Sequence, residues 1–299
     1  MAKTTDSAHI TTRTLLPTAI NGWEMFMQDQ GRSHHTVKAF LSDVRLLTKF
    51  LAPDKSIGDI TTDDLNRFFA WMEKDRGIPC SPKTLSRRIT SIKSFFRWLH
   101  QHGTLTIDPA EKVLQRSAIS PLPQVLTNDE YERVLLAADR HRREAKPDAR
   151  TYTLVCLLLT TGIKKNECLS IHLNHIDLNA KNGPHVFIRY ASPANRYKER
   201  KIDLQEDWIV AYQEYLAQYQ PTDQVFAWSP RRLEYLLEDI GVEASLTKHL
   251  SFDMCRWTCA LRDYQAGIES DTIRQKLGVS KIQWRELFMK IKQLNGEIK

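Results

Sequence analysis

The sequence has little of what marks a secreted, membrane-spanning or low-complexity chain. Its 299 residues include five cysteines without a Cys-x-x-Cys spacing, so neither a disulfide framework nor a zinc ribbon is supported. No run approaches the roughly 18–20 consecutive apolar residues of a membrane span, and the N-terminus lacks the apolar core of a signal peptide. Internal repeats and low-complexity tracts are also missing. We therefore expect a soluble cytoplasmic protein with no membrane partner and no bound metal.

What the sequence does contain is typical of a folded protein with two domains. Hydrophobic residues make up 41% and charged residues 26%, and the length suits two domains of ordinary size. The net charge is +7 and the isoelectric point is near 9.1. This mild positive balance favours a polyanionic partner without proving one, because many basic proteins bind nothing anionic.

The hydrophobic pattern predicts a mainly α fold with a small β-hairpin, an α+β class. Residues 1–20 are polar and aperiodic and are interpreted as a flexible tail, and residues 21–115 show helical periodicity throughout. Two prolines mark residues 116–126 as a linker, and Thr127 caps the first helix of a second domain over residues 127–299. In that domain, residues 152–160 predict a buried helix. Residues 185–190 and 200–204 predict a hairpin, with a basic turn between its strands.

One predicted helix, from Pro82 to about His100, has an apolar face and a basic face. Cations and hydroxyl groups repeat along the second face at spacings of 4, 3, 4 and 3, at Lys83, Arg87, Thr90, Ser94 and Arg97. No acidic residue occurs between Cys80 and Ile107. Such a stripe is suited to DNA phosphates, because cations displace condensed counterions and hydroxyl groups donate to phosphate oxygens. The alternative is an ordinary solvated helix face, which applies equally to a second basic cluster at Asn195–Lys201.

Several motifs, in consistent order, resemble the tyrosine recombinases of the phage integrase family, in their Xer-like two-domain form. They cover about residues 21–290 and lie at Gly31–Thr36, Ser81–Thr84, Ile92–Phe96, Asp108–Ala110, Leu122–Thr127, Thr161–Glu167, Lys198–Arg200 and Leu277–Gly278. The resemblance implies a helical core-binding (SAM-like) domain and a catalytic-like domain that close as a C-shaped clamp on double-stranded DNA. It implies no cofactor.

In that family a tyrosine hydroxyl attacks a DNA phosphodiester, two arginines clamp the phosphate, and a hairpin lysine and histidines assist. Carried over to this chain, the first arginine falls at Lys164, which keeps the charge without the bidentate fork. The hairpin lysine falls at Asn195, with Arg196 and Lys198 close enough to supply a cation in a shifted register. Glu167 matches an acidic residue that orients the first arginine, and we expect it to orient Lys164.

The remaining positions of the resemblance lie near the C-terminus. The first histidine falls at Asp253, the second arginine is retained as Arg256, and the residue after it is Trp257. The later histidine or tryptophan falls at Val279, and the nucleophilic tyrosine falls at Phe288. Phenylalanine has no hydroxyl with which to attack, so we predict that strand cleavage is lost. A shifted alignment and an engineered Tyr→Phe change are the alternatives.

Nearby residues are poor candidates to replace the missing tyrosine and histidines. Tyr264 lies on the predicted helix of Arg256, two turns away, and is expected to be core packing, as are Cys255 and Cys259. His249 is a candidate replacement for a missing histidine.

Three hypotheses remain open. The chain is a DNA-binding relative of recombinases that no longer cuts, a working site-specific recombinase with a rearranged site, or a scaffold without DNA affinity. The first is favoured, with a nucleoid location and a DNA-binding set of Lys83, Arg87, Arg88, Thr90, Ser94, Arg97, Lys164, Arg196, Lys198 and Arg256. The apolar stripe of Phe288, Ile291 and Leu294 either packs within the chain or docks on a second copy or an active recombinase.

Overall fold

A computed structural model describes residues 10–78, 80–115 and 121–298, and these form two compact units, 1–121 and 122–299. The boundary between the units falls inside the segment predicted as a linker. Residues 1–9 of the predicted tail and residues 116–120 of that linker lie outside the described residues.

The described residues of the first unit form a bundle of four α-helices. They are α1 (Leu16–Asp29), α2 (His34–Phe50), α3 (Thr62–Lys74) and α4 (Pro82–Gln101). The prediction of a tail up to residue 20 is wrong from Leu16 onward, because α1 begins there and buries Leu16, Ile20 and Trp23. The first turn contains Pro17, which suits a helix start because its missing N–H would have had no partner there.

The predicted helix over residues 82–100 is confirmed as α4. Its apolar face is fully buried, and its N-cap is Ser81, whose hydroxyl accepts a hydrogen bond from the Thr84 N–H. The start of α3 is fixed by its own side chains. Thr61 and Asp64 form a capping box there, in which each side chain accepts from the other's backbone N–H.

The second unit surrounds one buried helix and carries a small sheet. Its helices are α5 (Asn128–Arg142), α6 (Arg150–Thr161), α7 (Lys165–Leu169), α8 (Glu206–Tyr219), α9 (Pro230–Glu243), α10 (Phe252–Gln265), α11 (Ser270–Lys276) and α12 (Lys281–Leu294). Its strands are β1 (Ile176–Asp177), β2 (His185–Ile188) and β3 (Arg200–Asp203), in the order β1-β2-β3 and antiparallel. The predicted hairpin is therefore confirmed as β2–β3. Its connection contains a short 3₁₀ helix, Pro193–Lys198.

The predicted buried helix is α6, which packs against α5, α8 and α10. It ends at Gly162, which has a φ of +61°. A Cβ atom at that position would lie 2.8 Å from the Leu277 side chain, so only glycine fits this close approach. This tight turn places Lys164 at the N-cap of α7.

The two ends of the second unit are held in place. At its start, the Leu126 N–H donates to the Thr258 hydroxyl at 3.0 Å, so the last residue of the predicted linker belongs to this unit. At its end, α12 places Phe288, Ile291 and Leu294 in a cluster with residues of α10 and α11. The C-terminal apolar stripe therefore packs within the chain. Among the described residues, no helix combines the length and apolar character of a membrane span.

Candidate functional site

The predicted site positions at Lys164, Lys198 and Arg256 surround the buried carboxylate of Glu167, together with Arg200. Lys164 is the N-cap of α7, Lys198 ends the 3₁₀ helix of the hairpin, Arg200 lies in β3 and Arg256 lies in α10. Lys164 interacts electrostatically with the carboxylate and with the other three cations. The fold thus gathers several positive charges around one negative charge.

Glu167 is bound by Arg200 rather than by the side chain of Lys164. The Arg200 guanidinium donates to both carboxylate oxygens, at 3.1 and 3.0 Å, and the Tyr190 hydroxyl donates to the same group. From Lys164 the carboxylate accepts only the backbone N–H, at 2.8 Å. Burial raises the pKa of Glu167, but the hydrogen bonds and charge of Arg200 outweigh burial and hold it below its usual value. The prediction that Glu167 orients the Lys164 side chain is therefore wrong.

Arg256 is buried and bonded to the backbone ends of two helices. Its guanidinium donates to the carbonyl oxygens of Gly162, at 2.5 Å, and Leu277, at 2.7 Å. These carbonyls lie at the C-terminal ends of α6 and α11, where a cation also interacts favourably with the helix dipole. The side chain is 8% exposed, and burial lowers its pKa. In this structure Arg256 therefore joins helix ends.

Lys164 is half-buried at the edge of this group. Burial lowers the pKa of its ammonium group, and the nearby cations Arg256, Lys198 and Arg200 lower it further against the opposing charge of Glu167. A lysine in these surroundings is stabilised by any anion that approaches it.

At the tip of the hairpin lies Asn195, the residue that the resemblance aligns with the family's lysine. The Lys198 ammonium group donates to the Asn195 side-chain oxygen at 2.8 Å and lies 5.1 Å from the ring centre of Tyr197. Arg196 and Tyr197 are exposed. The hairpin tip thus has two cations, the exposed Arg196 and Lys198, which is held by the Asn195 amide.

The two residues that the resemblance aligns with the family's histidines, Asp253 and Val279, have side chains of different chemistry. Asp253 is exposed in the first turn of α10, where a negative charge is favourable to the helix dipole. Val279 is buried in the C-terminal cluster, and Trp257 packs against that cluster. His249 is exposed and lies in a shallow surface pocket with Asp253.

Phe288 is fixed in an aromatic cluster. Its ring stacks on Trp284, with centres 5.3 Å apart, and meets the ring of Tyr264 edge-on at 5.6 Å. The Tyr264 hydroxyl is directed elsewhere and donates to the Glu297 carboxylate at 2.8 and 2.9 Å. Tyr264 therefore packs as predicted.

The predicted packing role of Cys255 and Cys259 is confirmed. Both thiols are buried, and burial raises the pKa of each to about 12, which leaves them protonated at neutral pH.

In the first unit, the predicted DNA-facing side of α4 is only partly free. The Arg87 guanidinium donates to both oxygens of Asp43 on α2, one at 3.0 Å, and the Ser91 hydroxyl donates to the same carboxylate at 2.8 Å. Arg88 is half-buried, 3.6 Å from Asp43, and donates to the Cys80 sulfur at 3.1 Å. The prediction that no acid balances this face is wrong, because Asp43 reaches it from another helix.

The chain leaving α4 returns across the same face. Lys93 donates to the carbonyl oxygens of Glu111, at 3.2 Å, and Val113, at 2.6 Å. The Gln115 amide donates to Ser86 at 3.1 Å and to the Thr90 hydroxyl at 3.4 Å. Lys83 and Arg97 remain exposed. No local pattern indicates the role of Gln115, whereas Asp43, a charged residue beside the apolar stripe of α2, could have been suspected of having a buried partner.

Two family models match the chain. Residues 20–103 match the phage integrase N-terminal SAM-like domain, and residues 124–288, more than half of the chain, match the phage integrase family. The chain therefore belongs to the phage integrase family of tyrosine recombinases.

Its relatives include enzymes named tyrosine recombinase XerC. The chain is 32% identical over 186 residues to XerC of Mycobacterium tuberculosis (strain ATCC 25177 / H37Ra), covering 60% of each chain. It is 30% identical over 157 residues to XerC of Mycobacterium sp. (strain JLS), covering 51% of each. The matched part is thus three fifths or less of the length of these relatives.

Solved structures show the same fold at low identity. XerH bound to a palindromic difH substrate has a TM-score of 0.73 at 19% identity, with 93% of this chain and 83% of that chain covered. A lambda integrase dimer bound to a COC' core site has a TM-score of 0.71 at 14% identity, with 92% and 77% covered. These two similarities establish the fold alone.

Proposed function

We propose that this protein binds double-stranded DNA through both of its units and does not cut it. The observation that carries the proposal is Phe288, which stands where the family has its nucleophilic tyrosine. Covalent strand cleavage needs an oxygen that attacks phosphorus, and the phenylalanine ring has none. The ring also lies between Trp284 and Tyr264, so the position contributes to packing.

The arginine geometry supports the loss of cleavage. Transition-state stabilisation needs donors that point at the developing charge, and bidentate guanidinium groups are best suited to it. Here the Arg256 donors point at two backbone carbonyls, and the Arg200 donors point at Glu167 and at the Lys276 carbonyl oxygen. Lys164 offers a charge without a fork.

Binding does not need that geometry. Exposed cations neutralise phosphates whatever their exact orientation, and the resulting release of counterions supplies much of the affinity for DNA. Lys83 and Arg97 in the first unit and Arg196 in the second are exposed in this way, and the half-buried Lys164 and Lys198 add to the positive charge. The membership in a recombinase family and the DNA-bound XerH and lambda integrase structures of similar fold support the same partner.

Such a protein acts as an architectural factor, an occluding regulator, or a non-cutting subunit beside an active recombinase or a second copy. It would be associated with the nucleoid. Because the apolar face of α12 packs within its own unit, a contact with another subunit would use other surfaces or require α12 to be released.

The test is to map where the tagged protein sits on genomic DNA and then measure its affinity for the mapped duplex by fluorescence anisotropy. We expect discrete sites, and tighter binding to the mapped duplex than to a scrambled one of equal length. Uniform absence of DNA binding would favour the scaffold hypothesis instead. If the protein binds the scrambled duplex as tightly as the mapped one, the result would support an architectural role and would exclude site-specific regulation.

A further inference from the structure

A recess of the first unit opens between α1, the start of α2 and α4, and has a volume of about 680 Å3. Aromatic rings form part of its wall. Phe40 stacks on the buried Trp23 with ring centres 6.0 Å apart, and Phe26 packs on Trp98 at 5.8 Å. Phe26 and Phe40 are themselves half-buried, so part of each ring faces the recess. The tryptophans behind them hold the two rings in place.

The rim of the recess is polar and open to solvent. It carries two amides, Gln30 and Gln101, and two guanidinium groups, Arg32 and Arg97, all exposed. Within residues 10–78, 80–115 and 121–298, no hydrogen bond or ion pair engages these four side chains. The nearby Arg87, by contrast, is held by Asp43. Their donors and acceptors are therefore available to a ligand.

The combination of aromatic rings in the wall with amides and guanidinium groups at the rim is suited to a nucleobase. A base stacks on aromatic side chains through its face, while glutamine and arginine pair with its polar edge. The volume lies in the range of pockets that enclose small ligands. In an intact duplex the base faces are covered by their neighbours, and only the base edges are presented in the grooves.

We propose that this recess binds a single unpaired nucleobase of DNA. The proposal rests on the proposed function and extends it, because it predicts which DNA is preferred. An unpaired nucleotide costs little to turn out of the helix, so a duplex with one such nucleotide places a base face within reach of Phe26 and Phe40. The protein then distinguishes distorted or branched DNA from uniform duplex.

The experiment compares three labelled duplexes of the same sequence by fluorescence anisotropy. One is fully paired, one carries a single unpaired adenine, and one carries an unpaired abasic site at the same place. Stacking of one base predicts about tenfold tighter binding of the adenine duplex, and abasic and paired duplexes should bind alike. The abasic duplex separates recognition of the base from recognition of a flexible backbone.

Two variants test the recess itself. Gln101→Ala changes an exposed side chain, and Phe40→Leu keeps apolar volume but removes the ring; thermal unfolding checks that both fold. Each should reduce the preference for unpaired adenine to about twofold or less, because stacking and edge pairing each contribute to it. Lys83→Ala is the matched control and should weaken binding to all three duplexes equally.

Equal binding of the adenine and abasic duplexes would overturn the proposal. So would a preference that survives both recess variants. A failure of the proposed function gives a different result, because the wild-type protein would then bind none of the three duplexes. That result would also overturn the inference about the recess.

Discussion

Arg200 on β3 binds both carboxylate oxygens of Glu167, the residue that the family resemblance assigns to orienting position 164. The pair joins the hairpin to α7 across 33 residues of sequence. Because the carboxylate is already bound by a guanidinium, Lys164 is left beside it as an additional cation. A group of residues that resembles a catalytic site thus contains a buried ion pair that holds the fold together.

The first prediction concerns this pair. Glu167→Gln removes the charge that compensates the buried Arg200 guanidinium, and we expect a loss of about 3–5 kcal/mol in the free energy of unfolding. Urea unfolding at neutral pH measures it. The double variant Glu167→Gln, Arg200→Met should lose less than the sum of its two single variants. Strictly additive losses would show that the two side chains do not stabilise each other.

The second prediction concerns Lys164, whose cation is disfavoured by burial and by neighbouring cations. Lys164→Met should raise the free energy of unfolding at neutral pH by roughly 0.5–1 kcal/mol, while weakening DNA binding. The neighbouring Lys165, which is half-exposed and paired with Glu234 at 2.6 Å, is the matched control. Lys165→Met should change stability by less than about 0.5 kcal/mol.

The difference in free energy of unfolding between Lys164→Met and the wild-type protein should depend on pH, and the direction of that dependence can be worked out. The pKa of Lys164 is lower in the folded protein than in the unfolded chain, so the unfolded chain binds more protons between the two values. The stability cost of Lys164 is therefore fully present below its folded pKa and is relieved as pH rises towards the usual lysine value. The stability gain of Lys164→Met should shrink over that range. A gain that does not change with pH would contradict this explanation.

The third prediction separates free cations from paired ones on α4. Lys83→Ala and Arg97→Ala should each reduce the slope of log affinity against log salt by about 0.9, as expected for one phosphate contact. Arg87 is 43% exposed but bound to the buried Asp43, so Arg87→Ala should reduce the slope less. It should also cost about 1–2 kcal/mol in stability, because Asp43 loses two hydrogen bonds. Equal slope changes in all three variants, with no stability loss for Arg87→Ala, would contradict this distinction.

Local sequence patterns predicted the parts of the fold that depend on near neighbours. The apolar face of α4, the cap at Thr127 and the β2–β3 hairpin all follow from spacings within one element or one turn. The start of α1 was missed because its polar positions and Pro17 hide the helical period.

The contacts within the candidate site were less predictable, because the residues that bond to each other there are distant in sequence. Arg87 and Asp43 are 44 residues apart, and Arg256 and Gly162 are 94 residues apart. No periodicity carries that information. The resemblance located the positions, but only the tertiary structure shows that Arg256 and Arg200 are bound to acceptors within the protein.

The fourth prediction concerns restoring the nucleophile. Phe288→Tyr supplies a hydroxyl, but under the assignments that the resemblance implies the site still lacks the first arginine, the hairpin lysine and two histidines. Loss of one preorganised donor costs about 10²–10³ in rate, and several losses keep the variant below detection although they do not simply add. Adding Lys164→Arg should give at most a trace of covalent adduct. Robust cleavage by Phe288→Tyr alone would show that Phe288 is a single substitution in an otherwise competent site.

The most direct test of binding without cleavage is to incubate the wild-type protein with a nicked suicide duplex that carries its mapped site. A native gel and a denaturing gel are then run on the same reaction. A nick traps any covalent intermediate, because the cut end diffuses away before it can be rejoined. We expect a shifted complex on the native gel and no protein–DNA adduct on the denaturing gel. A wild-type adduct that survives denaturation would contradict the central claim.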